Sequence, residues 1–427
     1  MLTFVPVIRA RRRVAAIVAC LAVVVAMAAC SSSSNSSGSS QSVTATQSVA
    51  DSGVTTGSGS ASNGAGPADS SKSPIKIGFL TIDQSANAVP GPKQGAEAAV
   101  AYANAQLGGI GGHPIELDYC SIGIDAQSNQ QCGQHFANSA DAVVLMGLVF
   151  NSAPFYSALA ASGKPIVGLL PLTAGDLTSQ AVFWTTGEFI DSAAAAVVLQ
   201  DPNAKVLGFI ADNSTGGQAQ LGEVKALVGN RATVKYASLS VTNPDALGAV
   251  SSLGKVDAYI VGGQGTECVQ EAKAIKQLAP GTPVVTVQEC ASYAKASGGA
   301  MGGWTYAALT QIPAASGNGP DVTTYINEYP KYGATSFLDN VWTTGTWGMV
   351  LTARNVLAQA GAANLGAASL TAAFKDFTGP MVLGPTHLKC PGVLANNVCA
   401  DTIFRYNLGG NGSSTPVQGS GFEVAIP

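Results

Sequence analysis

The chain has 427 residues, of which 46% are hydrophobic and only 11% are charged. This composition supports a buried core and excludes a chain that is disordered throughout. Outside residues 1–29, 17 basic and 25 acidic residues remain without any basic run. We therefore expect no nucleic-acid partner, because nucleic-acid binding needs clustered lysine and arginine. The three histidines exclude a histidine-rich metal site, and we expect neither a metal nor a cofactor.

Residues 1–29 have the pattern of a secretion signal. Arg9 and the arginines at 11–13 precede an apolar stretch of 16 residues at 14–29. That stretch is too short for a bilayer span of about 20 residues. Met-Ala-Ala-Cys at 27–30 then resembles a bacterial lipobox, in which Cys30 receives a diacylglycerol. An ordinary signal cut after an Ala-x-Ala motif, or a membrane anchor, is the alternative. We expect an extracytoplasmic protein held on the outer face of the cell membrane by lipidated Cys30.

The stretch from Cys30 to residue 73 consists almost entirely of Ser, Gly, Thr, Ala, Asn and Gln. It has hardly any large apolar side chains and cannot bury enough surface to fold. We expect a disordered linker that spans about 35–40 Å in root-mean-square terms. The globular body is predicted to begin at Pro74.

Six cysteines remain once Cys20 in the signal and Cys30 are set aside. They lie in three close pairs, although six cysteines allow many connectivities. Export favours disulfides, and the C-x2-C spacing typical of zinc sites does not occur. We predict disulfides between the nearest neighbours: Cys120–Cys132, Cys268–Cys290 and Cys390–Cys399.

Apolar, strand-like runs alternate with helical stretches from Pro74 to about residue 310. Such alternation predicts parallel sheets covered on both faces. Two sets, at about 74–190 and 204–310, predict an α/β fold of two Rossmann-like lobes with the ligand cleft between them. The strand-like runs lie at 75–80, 114–120, 141–147, 165–171, 205–211, 257–263 and 282–287. The helical stretches lie at 96–107, 152–161, 192–199, 218–228 and 268–278.

The sequence contains none of the common catalytic motifs. It has no G-x-S-x-G nucleophile elbow, no phosphate-binding loop and no H-E-x-x-H. The glycines at 108–112 follow a helix and precede a strand, which reverses the order of a dinucleotide-binding motif, so we interpret them as a turn. His113, His135 and His387 are scattered. We expect a binding protein and not an enzyme.

Several segments resemble the type I periplasmic binding proteins, the leucine/isoleucine/valine-binding group that serves ABC importers. Residues 104–117 read NAQLGGIGGHPIEL and are similar to the N-A-A-G-G-I-N-G-x-x-I-E-L signature of that group. The pair Cys120 and Cys132 resembles a segment of actinobacterial members. The resemblance extends over about residues 74–410, and further similar strands and turns lie at 164–167, 257–263 and 377–380.

The resemblance implies two lobes joined by a hinge of three crossovers. Lobe 1 would comprise residues 74–190 and 313–398, and lobe 2 would comprise 191–312 and 399–427. It also implies that a small-molecule ligand is trapped by hinge closure and passed to an ABC permease. We expect the protein to be a monomer.

In amino-acid-binding members, a Ser/Thr pair of lobe 1 holds the ligand's carboxylate and an acid of lobe 2 holds its ammonium group. By resemblance, Thr173 matches the threonine, Asn151 or Ser152 falls at the serine, and Glu289 matches the acid. A helix N-cap is the alternative role of Thr173, and a solvated loop carboxylate is that of Glu289.

The chain departs from the family in two loops that often hold aromatic residues. Thr215 and Gln264 stand there instead, so we predict a polar amino acid, an amide or a urea-like solute as the ligand. Apolar walls would come from Phe150, Phe189, Trp304 and Tyr306, unless these aromatic residues belong to the core. A ligand-sensing receptor domain of the same fold, or a non-transport envelope lipoprotein, is the alternative function.

Overall fold

The computed structural model describes residues 66–425 apart from 85–87, 180–181, 187–189, 214, 241–242, 264, 314–318, 391–396, 401 and 418–422. The predicted signal, the lipobox cysteine Cys30 and linker residues 31–65 lie outside the described residues. Within the described part of the chain, no helix combines the length and the apolar character needed to span a bilayer.

Strands and helices alternate as far as residue 308, and helices then dominate before a final group of strands. The strands are β1 (Ile75–Ile82), β2 (Ile115–Ile122), β3 (Val144–Met146), β4 (Ile166–Gly168), β5 (Val182–Trp184), β6 (Val206–Asp212), β7 (Thr233–Leu239), β8 (Ala258–Val261), β9 (Val284–Val287), β10 (Thr305–Ala308), β11 (Thr402–Leu408), β12 (Ser414–Pro416) and β13 (Glu423–Ala425). The helices are α1 (Gly91–Gln106), α2 (Ala126–Asn138), α3 (Ala153–Leu159), α4 (Ala174–Thr178), α5 (Ile190–Val198), α6 (Thr215–Val228), α7 (Ala246–Leu253), α8 (Thr266–Leu278), α9 (Gln288–Ala291), α10 (Pro320–Tyr332), α11 (Val341–Ala360) and α12 (Ala367–Lys375).

The first sheet has the strand order β2-β1-β3-β4-β5, and all of its neighbouring strands are parallel. Its interior strand β1 is almost continuously buried, as expected for a parallel strand covered on both faces. The strand order reverses between β1 and β3, which places the crevice of this sheet beyond the carboxyl ends of these two strands. We call this sheet and the helices that pack on it lobe 1.

The second sheet has the order β12-β11-β10-β9-β8-β6-β7, with β13 paired to β11. Strands β6 to β10 are parallel to one another, whereas β11 is antiparallel to β10, β12 and β13. The order reverses between β6 and β8, so the crevice of this sheet lies beyond their carboxyl ends. This sheet and its helices form lobe 2.

The chain passes between the lobes three times. After β5, helix α5 packs against β8, β9 and β10, and after β10 the chain returns to lobe 1, where α10 and α11 pack on α1. Gly95 permits the close approach of α1 and α11, because a Cβ atom there would lie 2.4 Å from the carbonyl oxygen of Thr343. Strand β11 then completes lobe 2. The predicted two-lobe α/β fold is confirmed, while the boundaries at residues 190, 312 and 398 stay predictions.

The structure corrects the predicted start of the globular body. The backbone N–H groups of Gly66 and Ala68 donate to the carbonyl oxygens of Gln106 and Asn104 at 3.1 and 2.7 Å. These small residues bury little apolar surface, and their backbone N–H groups are instead held by acceptors at the end of α1. The ordered body therefore includes residues 66–73, which we had assigned to the linker.

The glycines that follow α1 form a turn, as interpreted from the sequence. Gly108, Gly109, Gly111 and Gly112 have φ between 59° and 85°, in the left-handed region that favours glycine. The buried guanidinium of Arg354 donates to the carbonyl oxygen of Gly109 at 2.7 Å. A cation thus lies at the C-terminal end of α1, where the helix dipole favours it.

The structure contains three disulfides, between the same cysteines that we paired from the sequence. The Cα–Cα distances are 5.8 Å for Cys120–Cys132, 5.3 Å for Cys268–Cys290 and 4.5 Å for Cys390–Cys399. The first bond joins β2 to α2, and the second joins α8 to α9.

Candidate functional site

A small cavity lies where the carboxyl ends of the two sheets meet. Lobe 1 contributes residues that follow β4 and β5 together with the start of α11, and lobe 2 contributes residues that follow β9 and β10. The cavity is about the size of one water molecule. Its lining residues are Leu169, Leu170, Thr186, Gln288, Leu309, Thr310, Val341, Trp342 and Gly345.

The polar groups that line this cavity differ in whether they have a hydrogen-bond partner. The Thr186 hydroxyl donates to the carbonyl oxygen of Leu169. The Gln288 side-chain oxygen accepts from the backbone N–H of Leu309 at 3.2 Å. The buried Thr310 hydroxyl has no hydrogen-bond partner among the described residues. Because a buried hydroxyl normally has a partner, Thr310 is available to a molecule that enters the cavity.

Glu289 adjoins two residues that line this cavity, Gln288 in sequence and Trp342 through a side-chain hydrogen bond. It belongs to α9, which begins directly after β9, and its side chain is half-buried. Burial raises the pKa of the Glu289 carboxyl, while a hydrogen bond from the Trp342 side chain opposes that shift. Since Trp342 stands in the first turn of α11, the predicted ammonium-binding acid of lobe 2 contacts an indole of lobe 1.

Thr173 and Ser152 are both engaged by one carboxylate of lobe 1. The Asp176 carboxylate accepts from the backbone N–H groups of Leu172 and Thr173 at 2.9 and 2.7 Å. It also accepts from the Tyr156 hydroxyl at 2.6 Å and from the Ser152 hydroxyl. Thr173 is the N-cap of α4 and forms a capping box with Asp176, and its role in ligand binding stays a prediction. Ser152 is buried and already donates its proton within the protein.

Asn151 is placed differently from its neighbour Ser152. It is exposed, and its φ of 58° is unusual for a residue other than glycine. It follows β3 at the point where the strand order of the first sheet reverses. Phe150 beside it is 42% exposed. Asparagine adopts this left-handed backbone more readily than most residues. Within the described part of the chain, the exposed Asn151 side chain makes no hydrogen bond to Asp176, whereas the Ser152 hydroxyl does.

The other predicted ligand residues lie partly outside the described structure. Thr215 begins α6 after β6, but its side chain is not among those described, and Gln264 and Phe189 lie outside the described residues. Trp304 and Tyr306 are 6% and 2% exposed, and the Tyr306 ring stacks on Tyr406 with 5.1 Å between centroids. These two aromatic residues belong to the core of lobe 2 and do not line the cleft.

Lobe 2 contains two buried acids that the sequence analysis missed. The carboxylates of Asp191 and Glu271 are fully buried, and within the described part of the chain no group hydrogen-bonds to them. Burial, aided by the charge of Asp212, raises the pKa of Asp191 to about 7. Burial and the neighbouring acids, first among them Glu267, raise the pKa of Glu271 well above its usual range.

A glycine pair that follows β8 makes room for these acids. A Cβ atom at Gly262 would lie 2.4 Å from Asp191 Oδ1, and one at Gly263 would lie 2.4 Å from Glu271 Oε2. The glycine pair was visible in the sequence as the end of a predicted strand. Its partners were not, because Asp191 is 71 positions before Gly262.

Comparisons with known proteins identify the family. Residues 74–398 match the periplasmic binding protein family. No curated protein sequence matches the chain. Among solved structures, the chain is similar to an ABC transporter substrate-binding protein from Sphaerobacter thermophilus, with a TM-score of 0.69, 13% identity, and coverage of 83% of this chain and 98% of that one.

Two further similar structures have ligands in their names. The branched-chain amino acid transporter substrate binding protein LivJ from Streptococcus pneumoniae, in complex with isoleucine, has a TM-score of 0.63 at 17% identity, covering 81% of this chain and 100% of that one. A fatty acid ABC transporter substrate-binding protein from Thermomonospora curvata has a TM-score of 0.64 at 19% identity, covering 83% and 93%.

The family match extends over most of the chain and over both lobes. It agrees with the resemblance seen in the turn at 104–117. Proteins of this family bind solutes without transforming them, which confirms that the chain is not an enzyme. The chain belongs to the periplasmic binding protein family.

Proposed function

We propose that this protein is the solute-binding component of an ABC importer and that it holds a small solute between its two lobes. The observation that carries the proposal is the cavity lined from the carboxyl ends of both sheets. Ligands of open α/β sheets bind at such ends. Because two sheets converge on one cavity, a single solute can contact both lobes at once.

The solute must enter through a conformation more open than the present one, since the cavity is about the size of one water molecule. Hinge closure then traps the solute and brings the lobes into the arrangement that the permease recognises. The three crossovers between the lobes are the segments that must bend.

We propose a solute that carries a carboxylate and an ammonium group, or an amide-like equivalent. The named ligands of two similar structures, isoleucine and a fatty acid, share a carboxylate and differ in the ammonium group. Glu289 supplies an anionic partner for an ammonium group beside two residues that line the cavity. For that interaction, the ammonium group takes the place of the Trp342 indole.

The carboxylate end of the solute is assigned to lobe 1. Asn151 is the better candidate of the two residues at the family serine, because Ser152 would first have to leave Asp176. Thr173 stands at the N-cap of α4 in lobe 1, and Thr215 and Gln264 stay the predicted polar contacts from lobe 2. These residues together give a polar site, which favours a polar amino acid, an amide or a urea-like solute.

The cellular setting is part of the same proposal. The basic, apolar and Cys30 segments of the N-terminus support export and lipid anchoring, which would hold the protein at the outer face of the membrane. A monomer is the oligomeric state that we propose. Mass spectrometry of the mature N-terminus tests the lipid anchoring. A diacylglycerol-modified Cys30 is expected, and a mature chain that begins at another residue would contradict it.

A thermal-shift screen tests the bound solute. The protein is unfolded and refolded to empty the site, and amino acids, amides, urea and fatty acids are then added. A ligand at 100 times its dissociation constant stabilises the fold by about 2.7 kcal/mol. We expect a rise in Tm of several degrees with one chemical class. A refolded protein that responds to none of these solutes would contradict the proposal.

A further inference from the structure

Two sulfur atoms and a carboxylate come together inside lobe 2. The potential ligand atoms of Cys268, Glu271 and Cys290 all lie within 4.8 Å of one another, and all three residues are fully buried. The Cys290 sulfur also lies 3.2 Å from the carbonyl oxygen of Gly263. In the present structure the two sulfurs are joined as a disulfide.

The helices explain why these groups meet. Cys268 and Glu271 are three positions apart on α8, a spacing that places both side chains on one face of a helix. Cys290 comes from α9, directly after Glu289. The arrangement therefore combines two residues of one helix with a residue of the short helix that follows β9.

Neither the disulfide nor the surrounding described residues provide a partner for the buried carboxylate of Glu271. Neither of its carboxylate oxygens has a hydrogen-bond partner in the described part of the chain. A buried, ionised carboxylate without a partner is unfavourable, so such a group takes up a proton, pairs with a cation or binds a metal. The only other potential ligands of the cluster are the two sulfurs, which cannot donate to a metal while they are bonded to each other.

We propose that reduction of the Cys268–Cys290 disulfide creates a site for a zinc-class divalent ion, bound by two thiolates and the Glu271 carboxylate. A dithiol reductant transfers two electrons and two protons to the disulfide, which yields two protein thiols and the oxidised reductant. The ion then binds both sulfurs and displaces two protons. Three protein ligands leave one position of a tetrahedral zinc for water.

The donor set selects the class of ion. Thiolates favour zinc and similar soft ions, whereas calcium and magnesium prefer sites made of oxygen ligands. The oxidised protein lacks the thiolates, so the disulfide state decides whether the ion binds. The site rests on these three residues and does not depend on which solute occupies the cleft.

Cobalt(II) is the spectroscopic probe for this site. The full chain is reduced with a phosphine, the reductant is removed without oxygen, and cobalt(II) is titrated. We expect one equivalent to bind with a near-ultraviolet thiolate-to-cobalt absorption band that zinc abolishes. The oxidised protein should show no band. The Cys268→Ser/Cys290→Ser variant, treated with the same reductant, should show none either, although its other four body cysteines remain.

The role of the carboxylate is tested by Glu271→Gln, with Glu97→Gln, an exposed acid on α1 of lobe 1, as the matched control. Cobalt(II) should bind about tenfold or more weakly to Glu271→Gln, since even outer partners of metal ligands contribute that much. The control should bind like the unaltered protein. Equal affinity in Glu271→Gln, or a band that persists in the double serine variant, would overturn the assignment.

If reduction unfolds the protein, circular dichroism measures whether zinc refolds it. In that case zinc should restore the folded spectrum of the reduced chain but not that of the double serine variant. Failure of zinc to restore it would overturn the proposal as well.

Discussion

Buried carboxylates differ in their hydrogen bonding between the two lobes. In lobe 1, Asp176 accepts four hydrogen bonds, two from backbone N–H groups and two from hydroxyls. In lobe 2, Asp191 and Glu271 are equally buried, yet among the described residues they have no partner. The number of donors, not the degree of burial, distinguishes a carboxylate that stabilises the fold from one that does not.

The difference bears on where this protein responds to its surroundings. The hydroxyl of Ser152 and the backbone of Thr173 support Asp176 and are committed to the structure of lobe 1. The acids of lobe 2 are free to respond to protons or cations. We therefore expect pH and charge to act mainly through lobe 2.

The largest expected effect is a gain of stability in Asp191→Asn at high pH. The pKa of Asp191 in the folded chain is raised to about 7 from a usual value of 3.8. Between these two pH values the folded chain binds more protons than the unfolded chain, so the free energy of unfolding falls as pH rises through that window. Asparagine removes this loss, which is at most about 4 kcal/mol above pH 7.

The measurement is thermal unfolding of both proteins at pH 4.5 and pH 8. The gain in Tm from Asp191→Asn should be much larger at pH 8. A gain of the same size at both pH values would show that Asp191 does not titrate in this window.

Asp176→Asn should have the opposite sign. Its amide nitrogen would face donors in place of an acceptor, which leaves buried N–H or O–H groups unpaired and costs about 3 kcal/mol of unfolding free energy. Urea unfolding measures this loss. Asp376→Asn, an exposed acid that follows α12, is the control and should change stability by less than about 0.5 kcal/mol. A loss of similar size in both variants would break the comparison between the lobes.

Glu289→Gln should weaken a solute that carries an ammonium group. The change leaves a desolvated cation without its anionic partner and should cost about 2 kcal/mol of binding free energy. Calorimetric titration gives the affinity. A solute of similar size without an ammonium group is the control and should bind both proteins alike. Unchanged affinity for the cationic solute would remove Glu289 from the site.

Thr173→Val should have the smallest effect. It removes the N-cap hydroxyl of α4 and should cost about 1 kcal/mol of unfolding free energy. Thr173→Ser keeps the hydroxyl and serves as the control. Unchanged stability together with a large loss of solute affinity would instead assign the Thr173 hydroxyl to the ligand.

The fold was predictable because its signals are local. Continuous apolar runs at 75–80 and 205–211 correspond to the interior strands β1 and β6, and the spacing at 96–107 corresponds to α1. Parallel strands that are buried on both faces generally appear in a sequence as continuous apolar runs. The end of the linker was not predictable, since residues 66–73 are held by acceptors at the end of α1 and not by their own composition.

The site was predictable only in part, because its partners are distant in sequence. The position of Glu289 after a strand could be anticipated, but its contact with Trp342 joins residues 53 positions apart. The donors that engage Asp176 come from residues as far away as Ser152. No local pattern shows which buried acids gain donors in the folded chain and which do not.

Small-angle X-ray scattering of the refolded protein with and without its solute tests the central claim most directly. If the solute is held between the lobes, its addition should close the hinge and lower the radius of gyration, and Glu289→Gln should need more of an ammonium-bearing solute for the same change. A solute that raises Tm but leaves the radius of gyration unchanged in both proteins would contradict binding between the lobes.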